Sequence, residues 1–375
     1  MELTKCKLGE LITQRREKND GSNLPICGVS KDGLIPPKQI DADTSIYNVF
    51  YRDDFIFNPA RMELNSIAIN DKYDRAICSS LYEVFFVHRT DLLLPHYLKL
   101  IVKQKWFTRY CEFLGQGSAR EYCRFNNISE IEIEFPSVEE QQRIVDYYSS
   151  IQKRIALKKQ INDNLEAQAL ALFSDFVSQH NEKWEQGKLG DVISSANTGG
   201  DAIQKVPIVD YDTGIKCARV GDITNAREFA SWAFCSATNS VFDNYKLQAG
   251  DILVTRTATL GITQYIPSDI SAVYNNGLIR LKTDNNRALP LYVYWAINTS
   301  DFMNYINQMN SATSVRPNMK IDYLLNYQLL IPPIEKQIQF VKAVEVLMNA
   351  ISLNNNERLK LCDFQSTLLN TLSRR

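Results

Sequence analysis

The chain has 375 residues, a length that predicts two or three folded domains. Its composition, 45% hydrophobic and 23% charged, excludes disordered, collagen-like and low-complexity classes. No apolar run approaches the roughly 18–20 residues of a membrane helix, and the N-terminal stretch lacks the apolar core of a signal peptide, so we expect a cytoplasmic protein without membrane contacts. The 42 basic and 43 acidic side chains give a net charge of −1, which argues against a strongly electrostatic nucleic-acid binder.

The cysteines, histidines and candidate catalytic residues lack the sequence spacing of known metal and catalytic sites. The eight cysteines include no CxxC pair, and without a secretory signal we expect them to be reduced structural thiols. His88, His96 and His180 stand at no metal-ligand spacing from a cysteine or from each other, so no metal site is predicted. The sequence has no P-loop and no GxSxG nucleophile elbow, and residues 58–61 (NPAR) are better interpreted as a turn than as part of a methyltransferase motif.

Comparison of the chain with itself shows an internal repeat. The register shift is 181 at the first match and 195 to 197 at the later three, so the second copy carries an insertion before Gly250. The four matches occur in the same order along both copies, which makes chance a poor explanation. They are residues 7–12 (KLGELI) with 188–193 (KLGDVI), 54–57 with 251–254, 94–110 with 289–305, and 135–141 (FPSVEEQ) with 331–337 (IPPIEKQ).

Each copy begins with a mixed stretch of short β-type runs, such as residues 251–255 (DILVT), separated by Gly, Asn and Asp turn signals. It continues into a long helix that opens with a proline and an acidic first turn, over about residues 138–177 and 334–372. The sequence therefore predicts an α+β protein with two mixed α/β domains and two long helices. The predicted boundaries are 1–136, 137–180, 181–332 and 333–375.

Both long helices have the 4-3 spacing of a coiled coil, in the same register plus 196, which favours two paired helices over two separate amphipathic core helices. Each seam turns polar near its middle, at Lys158 and Asn162 in one helix and at Asn354 and Arg358 in the other. Parallel and antiparallel pairing would both match polar with polar, so the pattern leaves the direction open. The predicted apolar seam residues are Ile144, Tyr148, Ile151, Ile155, Leu165 and Leu172, with Phe340, Val344, Leu347, Ile351, Leu361 and Leu368.

Candidate contacts to nucleic acid are cations in polar loops and beside predicted strands, where a phosphate or a base edge could be reached. Each is also a residue type that is common on any solvated surface. The basic stretch of residues 92–111 is a weaker candidate, because its repeat equivalent keeps the aromatic residues and loses the charge. The candidates are Arg61, Arg120 and Arg124 in the first copy and Arg219, Arg256, Arg316 and Lys320 in the second.

Two variable domains, each followed by a long helix and repeated in tandem, resemble the specificity subunit of type I restriction–modification systems. Local sequence also resembles that family, and the resemblance covers essentially the whole chain. The segments concerned are residues 47–50 (YNVF), 54–61 (DFIFNPAR), 66–69 (SIAI), 250–257 (GDILVTRT) and 330–337 (LIPPIEKQ).

The resemblance implies a protein without catalytic activity of its own, whose two target-recognition domains each read one half of a split double-stranded DNA site. It implies that the helices pair antiparallel as spacer and docking platform for two methyltransferase subunits, and that motor-nuclease subunits can join. S-adenosylmethionine, ATP and Mg would bind to those partners, and no cofactor would bind to this chain. Because neither recognition domain is basic overall, phosphate contacts would have to come from local clusters or from the partners.

Two other function classes fit the residues. The first is a coiled-coil scaffold whose two domains bind other proteins, and the second is an enzyme with an unrecognised site. A neighbouring gene for an adenine methyltransferase would separate the specificity subunit from both alternatives.

Overall fold

A computed structural model describes residues 3–37, 43–115, 122–179, 184–199, 207–227, 229–311 and 318–373. The chain divides into two compact units, one formed by Met1–Leu157 with Arg358–Arg375 and the other by Lys158–Glu357. Each unit contains one mixed α/β domain and part of both long helices, so the predicted α+β class is confirmed. Within the described ranges, no helix combines the length and the apolar character needed to span a bilayer.

The first unit is built on short strands followed by helices. Its strands are β1 (Thr4–Lys7), β2 (Ile12–Arg15), β3 (Ile26–Ser30), β4 (Gly33–Ile35), β5 (Asn48–Tyr51), β6 (Phe55–Phe57), β7 (Ile67–Ile69), β8 (Arg75–Cys78), β9 (Glu83–Val87) and β10 (Glu132–Phe135). Its helices are α1 (Pro95–Val102), α2 (Lys105–Gly115), α3 (Phe125–Ser129), the first half of α4 (Val138–Ser178) and the last part of the second long helix, from Arg358 onward.

These strands form two four-stranded sheets and a terminal pair. One sheet has the order β2-β9-β6-β7 and is antiparallel throughout, and the other has the order β4-β3-β8-β5, in which β3 and β8 are parallel. Alternate residues of β6 serve two cores: Phe55 and Phe57 pack with the helices, and Ile56 packs between the sheets. Strand β1 pairs antiparallel with β10, with Thr4 opposite Phe135, so the domain begins and ends at adjacent strands.

The second unit repeats the arrangement of short strands followed by helices, with two additional short helices between its strands. Its strands are β11 (Glu185–Lys188), β12 (Ile193–Thr198), β13 (Ile208–Val209), β14 (Lys216–Ala218), β15 (Phe234–Cys235), β16 (Ile252–Thr255), β17 (Thr263–Tyr265), β18 (Ala272–Tyr274), β19 (Leu278–Thr283) and β20 (Gln328–Ile331). Its helices are α5 (Val220–Thr224), α6 (Asn239–Tyr245), α7 (Pro290–Ala296), α8 (Ser300–Ser311), α9 (Ile321–Leu325), the second half of α4, and the first part of α10 (Ile334–Ser373).

The sequence repeat corresponds to a repeat of the antiparallel sheet and of the terminal strand pair, whereas the second sheet differs in strand order. The antiparallel sheet has the order β12-β19-β16-β17, which matches β2-β9-β6-β7 of the first unit. The second sheet, β13-β15-β14-β18, again contains one parallel pair, formed by β14 and β18. Strand β11 pairs antiparallel with β20, so this domain also begins and ends at adjacent strands.

A fully buried glutamine joins the first domain to helix α4. The Gln141 Oε1 accepts a hydrogen bond from the backbone N–H of Leu94, at 2.8 Å, just before α1 begins. Its Nε2 donates to the carbonyl oxygens of Leu92 and Pro136, at 2.7 and 2.8 Å. One side chain therefore satisfies three backbone groups of the chain that enters α1 and α4.

Gln337, 196 residues later, makes the same three contacts in the second domain and is also fully buried. Its Oε1 accepts from the N–H of Leu289 at 2.8 Å, and its Nε2 donates to the carbonyls of Arg287 and Pro332, at 3.0 and 2.7 Å. This shared joint explains why the Leu-Pro pair and the proline-to-glutamine motif recur together in the sequence.

The glycine of the repeated KLG motif lies where an added side chain would be crowded. A Cβ added to Gly9 would lie 2.9 Å from the Ser129 Cβ at the end of α3. Its equivalent, Gly190, faces the end of α9, where an added Cβ would lie 3.3 Å from the carbonyl oxygen of Leu325. The motif therefore recurs because both domains pack this turn against the short helix that precedes their last strand.

The two long helices pair antiparallel in the second unit. The Lys158 Nζ donates to the Asn354 Oδ1 at 2.8 Å, and Asn354 donates to the Asn162 Oδ1 at 2.9 Å. Further along α4, the ring of Phe173 packs 5.5 Å from that of Phe340, near the start of α10. The predicted contact of polar seam residues with polar seam residues is confirmed, and the direction that the pattern left open is antiparallel.

In the first unit, Leu369 near the end of α10 packs on the cluster that contains Ile144 near the start of α4, which is again antiparallel. One predicted seam residue is displaced: Leu172 is 42% exposed, and the next residue, Phe173, takes the buried position. The buried seam residues are Ile144, Ile151, Phe340, Val344 and Ile351, and the half-buried ones are Tyr148, Ile155, Leu165, Leu347, Leu361 and Leu368.

Candidate nucleic-acid interface

Two of the first domain's candidate cations meet where a turn after β6 contacts the segment before α3. The carbonyl oxygen of Pro59 accepts a hydrogen bond from the N–H of Cys123 at 3.0 Å. Arg61 lies exposed in the turn that starts at Pro59, and Arg124, which follows Cys123, has a side chain that is 65% exposed. We call these four residues the first loop cluster.

The second domain has a loop cluster at the equivalent place. The carbonyl oxygen of Arg256, which directly follows β16, accepts from the N–H of Met319 at 2.8 Å, and Lys320 comes next in the chain. The N–H of Arg256 donates to the carbonyl of Gly277, and a Cβ at Gly277 would lie 2.5 Å from Val220, beside Arg219. The second loop cluster thus consists of Arg219, Arg256, Gly277, Met319 and Lys320.

The candidate cations differ in how free their side chains are. Arg124 approaches the Glu83 carboxylate at 3.4 Å and lies over the ring of Tyr122, yet it keeps most of its surface in solvent. Arg256 is half-buried, and its guanidinium donates to the Met319 carbonyl at 3.1 Å and to the Asn276 Oδ1 at 3.1 Å. Arg256 therefore connects its own loop to those of Asn276 and Met319 by hydrogen bonds. The side chains of Arg61, Arg124 and Lys320 are instead exposed to solvent.

Arg219 precedes helix α5, and a buried carboxylate holds its side chain. Asp222, 1% exposed, accepts from both the backbone N–H and the Nε of Arg219, at 3.0 and 3.3 Å. The same carboxylate accepts from the Nη1 of Arg227 at 3.1 Å, and the side chains of the two arginines stay 37% and 49% exposed. No sequence signal indicated Asp222 and Arg227, because a single Asp among surface residues gives no sign of burial.

Two predicted candidates, Arg120 and Arg316, lie outside the described residues. In sequence they are 196 residues apart, and each belongs to the segment that runs into its loop cluster at Cys123 or Met319.

Six of the eight cysteines are buried, Cys6 is half-buried and Cys362 is exposed. Within the described ranges, no three His, Cys, Asp or Glu residues lie close enough together to hold a metal ion. Cys111 and Cys123 are both buried, and a hydrogen bond with the Cys123 thiol, together with burial, raises the pKa of Cys111. Such thiols are unreactive, which agrees with the structural thiols expected from the sequence.

The family of the chain follows from comparison with known proteins. The model of the type I restriction modification DNA specificity domain matches residues 9–167 and 181–361, which is one match for each repeat and most of the chain. The protein is a type I restriction–modification specificity subunit. The predicted family is thereby confirmed, and the two loop clusters belong to its two specificity domains.

Individual relatives agree with this assignment. The specificity subunit of the type I restriction enzyme MjaIX from Methanocaldococcus jannaschii is 24% identical over 309 residues, which cover 74% of this chain and 68% of that protein. The HindI specificity subunit from Haemophilus influenzae is 26% identical over 110 residues, 29% of this chain and 24% of that one. A crystal structure of the type I S subunit from M. genitalium shares the fold, with a TM-score of 0.58 at 16% identity over 99% of this chain and 96% of the other.

Proposed function

We propose that this specificity subunit selects DNA by reading a bipartite double-stranded site, one half with each domain. The observation that carries the proposal is the pair of loop clusters, which occupy equivalent places in two domains that share the strand order of their antiparallel sheet. In each, the carbonyl of Pro59 or Arg256 binds the N–H of Cys123 or Met319. The same backbone contact, flanked by different exposed side chains in each domain, suits the recognition of two different half-sites.

Because the chain has a net charge of −1, the cations that contact DNA would have to come from the two loop clusters. In the first cluster Arg61 and Arg124 are exposed, and in the second Lys320 is exposed and Arg219 is half-exposed. Cations of this kind hold phosphates or base edges, and their effect is largest at low salt. We therefore expect the affinity of this chain alone for DNA to be modest and to fall steeply with salt.

We propose that two methyltransferase subunits dock on the long helices and that motor-nuclease subunits can complete the restriction enzyme. Exposed apolar side chains on these helices support docking, because such side chains lower the free energy when a partner covers them. In the first unit they are Tyr147, Leu157 and Phe364, and in the second Ile161, Leu172, Ile338, Val346 and Leu353.

We also propose that the catalytic steps and their cofactors belong to the partners. S-adenosylmethionine would bind to the methyltransferase subunits, which would flip the target adenine out of the duplex, and ATP and Mg would bind to the motor-nuclease subunits. This chain would contribute sequence recognition and assembly, in the cytoplasm where such DNA is accessible.

The test is to express this chain with the methyltransferase subunit encoded in its own genome, in a host without other adenine methyltransferases. Methylated adenines are then mapped by long-read sequencing. A split motif that appears only when both chains are present is the expected result. If the methyltransferase is soluble and active without any motif that depends on this chain, the DNA-reading function is wrong, and a protein-binding scaffold becomes the better explanation.

The length of the helix pair should set the unread gap between the half-sites. Helices α4 and α10 have 41 and 40 residues, about 60 Å each at 1.5 Å per residue. Deleting two heptads from each helix in register keeps the seam intact, and we expect the same two half-sites with a shorter gap. An unchanged gap in the methylation map would refute this role, and deletion of two heptads from α4 alone serves as the out-of-register control.

A further inference from the structure

We infer that Arg227, held by Asp222 together with Arg219, is a specificity-determining residue that recognises a guanine in the second half-site. The inference rests on the proposed function, and it assigns a base contact to a residue that is not among the seven candidates predicted from the sequence. Its basis is the arrangement of two guanidinium groups on one buried carboxylate.

The carboxylate of Asp222 uses a different oxygen for each arginine. Oδ2 accepts from the Nε of Arg219 at 3.3 Å, and Oδ1 accepts from the Nη1 of Arg227 at 3.1 Å. Each guanidinium has five N–H donors, and the carboxylate engages one edge of the group. The remaining donors of two half-exposed groups therefore point away from Asp222, in the fork geometry that matches the O6 and N7 of guanine.

The backbone that carries Arg227 is held as firmly as its side chain. The N–H of Arg227 donates to the Asp222 carbonyl at 2.8 Å, and its own carbonyl accepts from the indole Nε1 of Trp232 at 2.9 Å. Trp232 is 4% exposed, so this second contact ties the turn to the domain core. Ala226 has a left-handed backbone with φ of 47°, an unfavourable conformation for alanine that the neighbouring contacts stabilise. A base contact needs this kind of preorganised side chain.

The charge of the group indicates an anionic or electron-rich partner. One buried carboxylate needs one cation for neutralisation, and here it holds two, so the group keeps a net positive charge at the surface. Arg219 already closes the turn by itself, because its N–H and its Nε both bind Asp222. The side chain of Arg227 is therefore not needed to hold this turn. It is 49% exposed, and we assign this exposed surface to DNA contact.

The location agrees with this assignment. Arg219 belongs to the second loop cluster, since Val220 beside it packs against Gly277, which in turn binds the N–H of Arg256. In the first domain the chain leaves the equivalent strand differently: β3 turns directly into β4, with Ser30 opposite Gly33. The arginine pair therefore distinguishes one domain from the other, as a contact specific to one half-site must.

The experiment uses the full chain with its methyltransferase partner on a plasmid library that contains randomised sites, with methylation mapped by long-read sequencing. Arg227→Ala should lower the discrimination for guanine at one position of the second half-site by about 10- to 100-fold and leave the first half-site unchanged. Arg227→Lys should restore little of it, because an ammonium group cannot reproduce the fork. Asp222→Asn should also lower the discrimination for guanine at that position, because the carboxylate that positions Arg227 loses its charge.

Two controls keep the outcome decisive. Arg287→Ala removes an exposed arginine of the same domain that pairs with exposed Glu185, and Arg52→Ala removes one of the first domain that pairs with exposed Asp74; neither should alter the motif. An unchanged motif with Arg227→Ala, or a uniform loss of methylation at all positions of both half-sites, would overturn the inference. If the unsubstituted chain directs no motif, the proposed function fails instead, which separates the two failures.

Discussion

The two domains share a frame and differ where the chain leaves their parallel strands. Strand β3 ends in a tight hairpin, whereas β14, which pairs with β18 as β3 pairs with β8, leads into helix α5 and the turn that carries Arg227. The joints made by Gln141 and Gln337 are identical in kind. The recurring motifs of the sequence therefore mark the contacts that the two domains share, and under the proposed function the segments without a recurring motif would carry the specificity.

The largest expected effect comes from breaking the shared joint. Gln141→Ala removes a buried side chain that satisfies three backbone groups, and we expect a loss of about 3 kcal/mol in the free energy of unfolding. Gln337→Ala should cost the same in the second domain. For units of this size such losses correspond to about 6–12 °C in the midpoint of thermal unfolding.

The matched controls are Gln142→Ala and Gln339→Ala, which truncate exposed glutamines on the same helices. Their midpoints should shift by less than about 2 °C. If the buried and exposed substitutions cost the same, or if only one domain responds, the joint is not the common element of the two frames.

A smaller effect should separate the two KLG turns. Gly9→Ala places a Cβ 2.9 Å from the Ser129 Cβ and 3.1 Å from its carbonyl oxygen, so we expect a cost of about 1–3 kcal/mol. Gly190→Ala meets its nearest atom at 3.3 Å and should cost under about 1 kcal/mol. Urea unfolding of both variants measures the difference, and equal costs would show that the two turns pack alike.

The smallest effect concerns the turn before β6 and its equivalent before β16, which the two domains form with different residues. Gly250 has φ of 85°, and its equivalent Asp53 has φ of 65°, both in the left-handed region. Gly250→Ala should cost about 1–2 kcal/mol, because of this conformation and a contact of 3.1 Å with Pro290. Asp53→Gly should change stability by less than about 1 kcal/mol, since glycine relieves the strain and adds chain entropy. Urea unfolding in which Asp53→Gly is the more costly change would contradict this account of the turn.

The sequence predicted the repeat and the long helices because their signals are local. Apolar periodicity and the prolines before Val138 and Ile334 placed helices that the structure shows at Val138–Ser178 and Ile334–Ser373. The seam pattern left the pairing direction open, since a seam with a polar middle matches itself both ways, and the family resemblance implied the antiparallel direction that the structure shows. Leu172 was assigned wrongly because a strict 3.5-residue period drifts against the 3.6-residue turn, and over this length the buried position moves to Phe173.

The loop clusters were only partly predictable. Single arginines beside strands and before helices pointed to Arg61, Arg124, Arg219, Arg256 and Lys320, and the structure brings them into two equivalent places. Their separate roles depend on which partner each guanidinium meets, and that follows from tertiary contacts. Arg256 binds the carbonyl of Met319, and Arg227 binds a carboxylate whose burial no local pattern reveals.

The most direct test of two equivalent frames with separate specificities is a transplant. Each domain begins and ends at an antiparallel strand pair, so residues 185–331 can replace residues 4–135 with the same end-to-end connection. With the methyltransferase partner present, the account predicts a methylated motif that contains the second half-site twice and no longer contains the first. A folded hybrid that still selects the first half-site would contradict it.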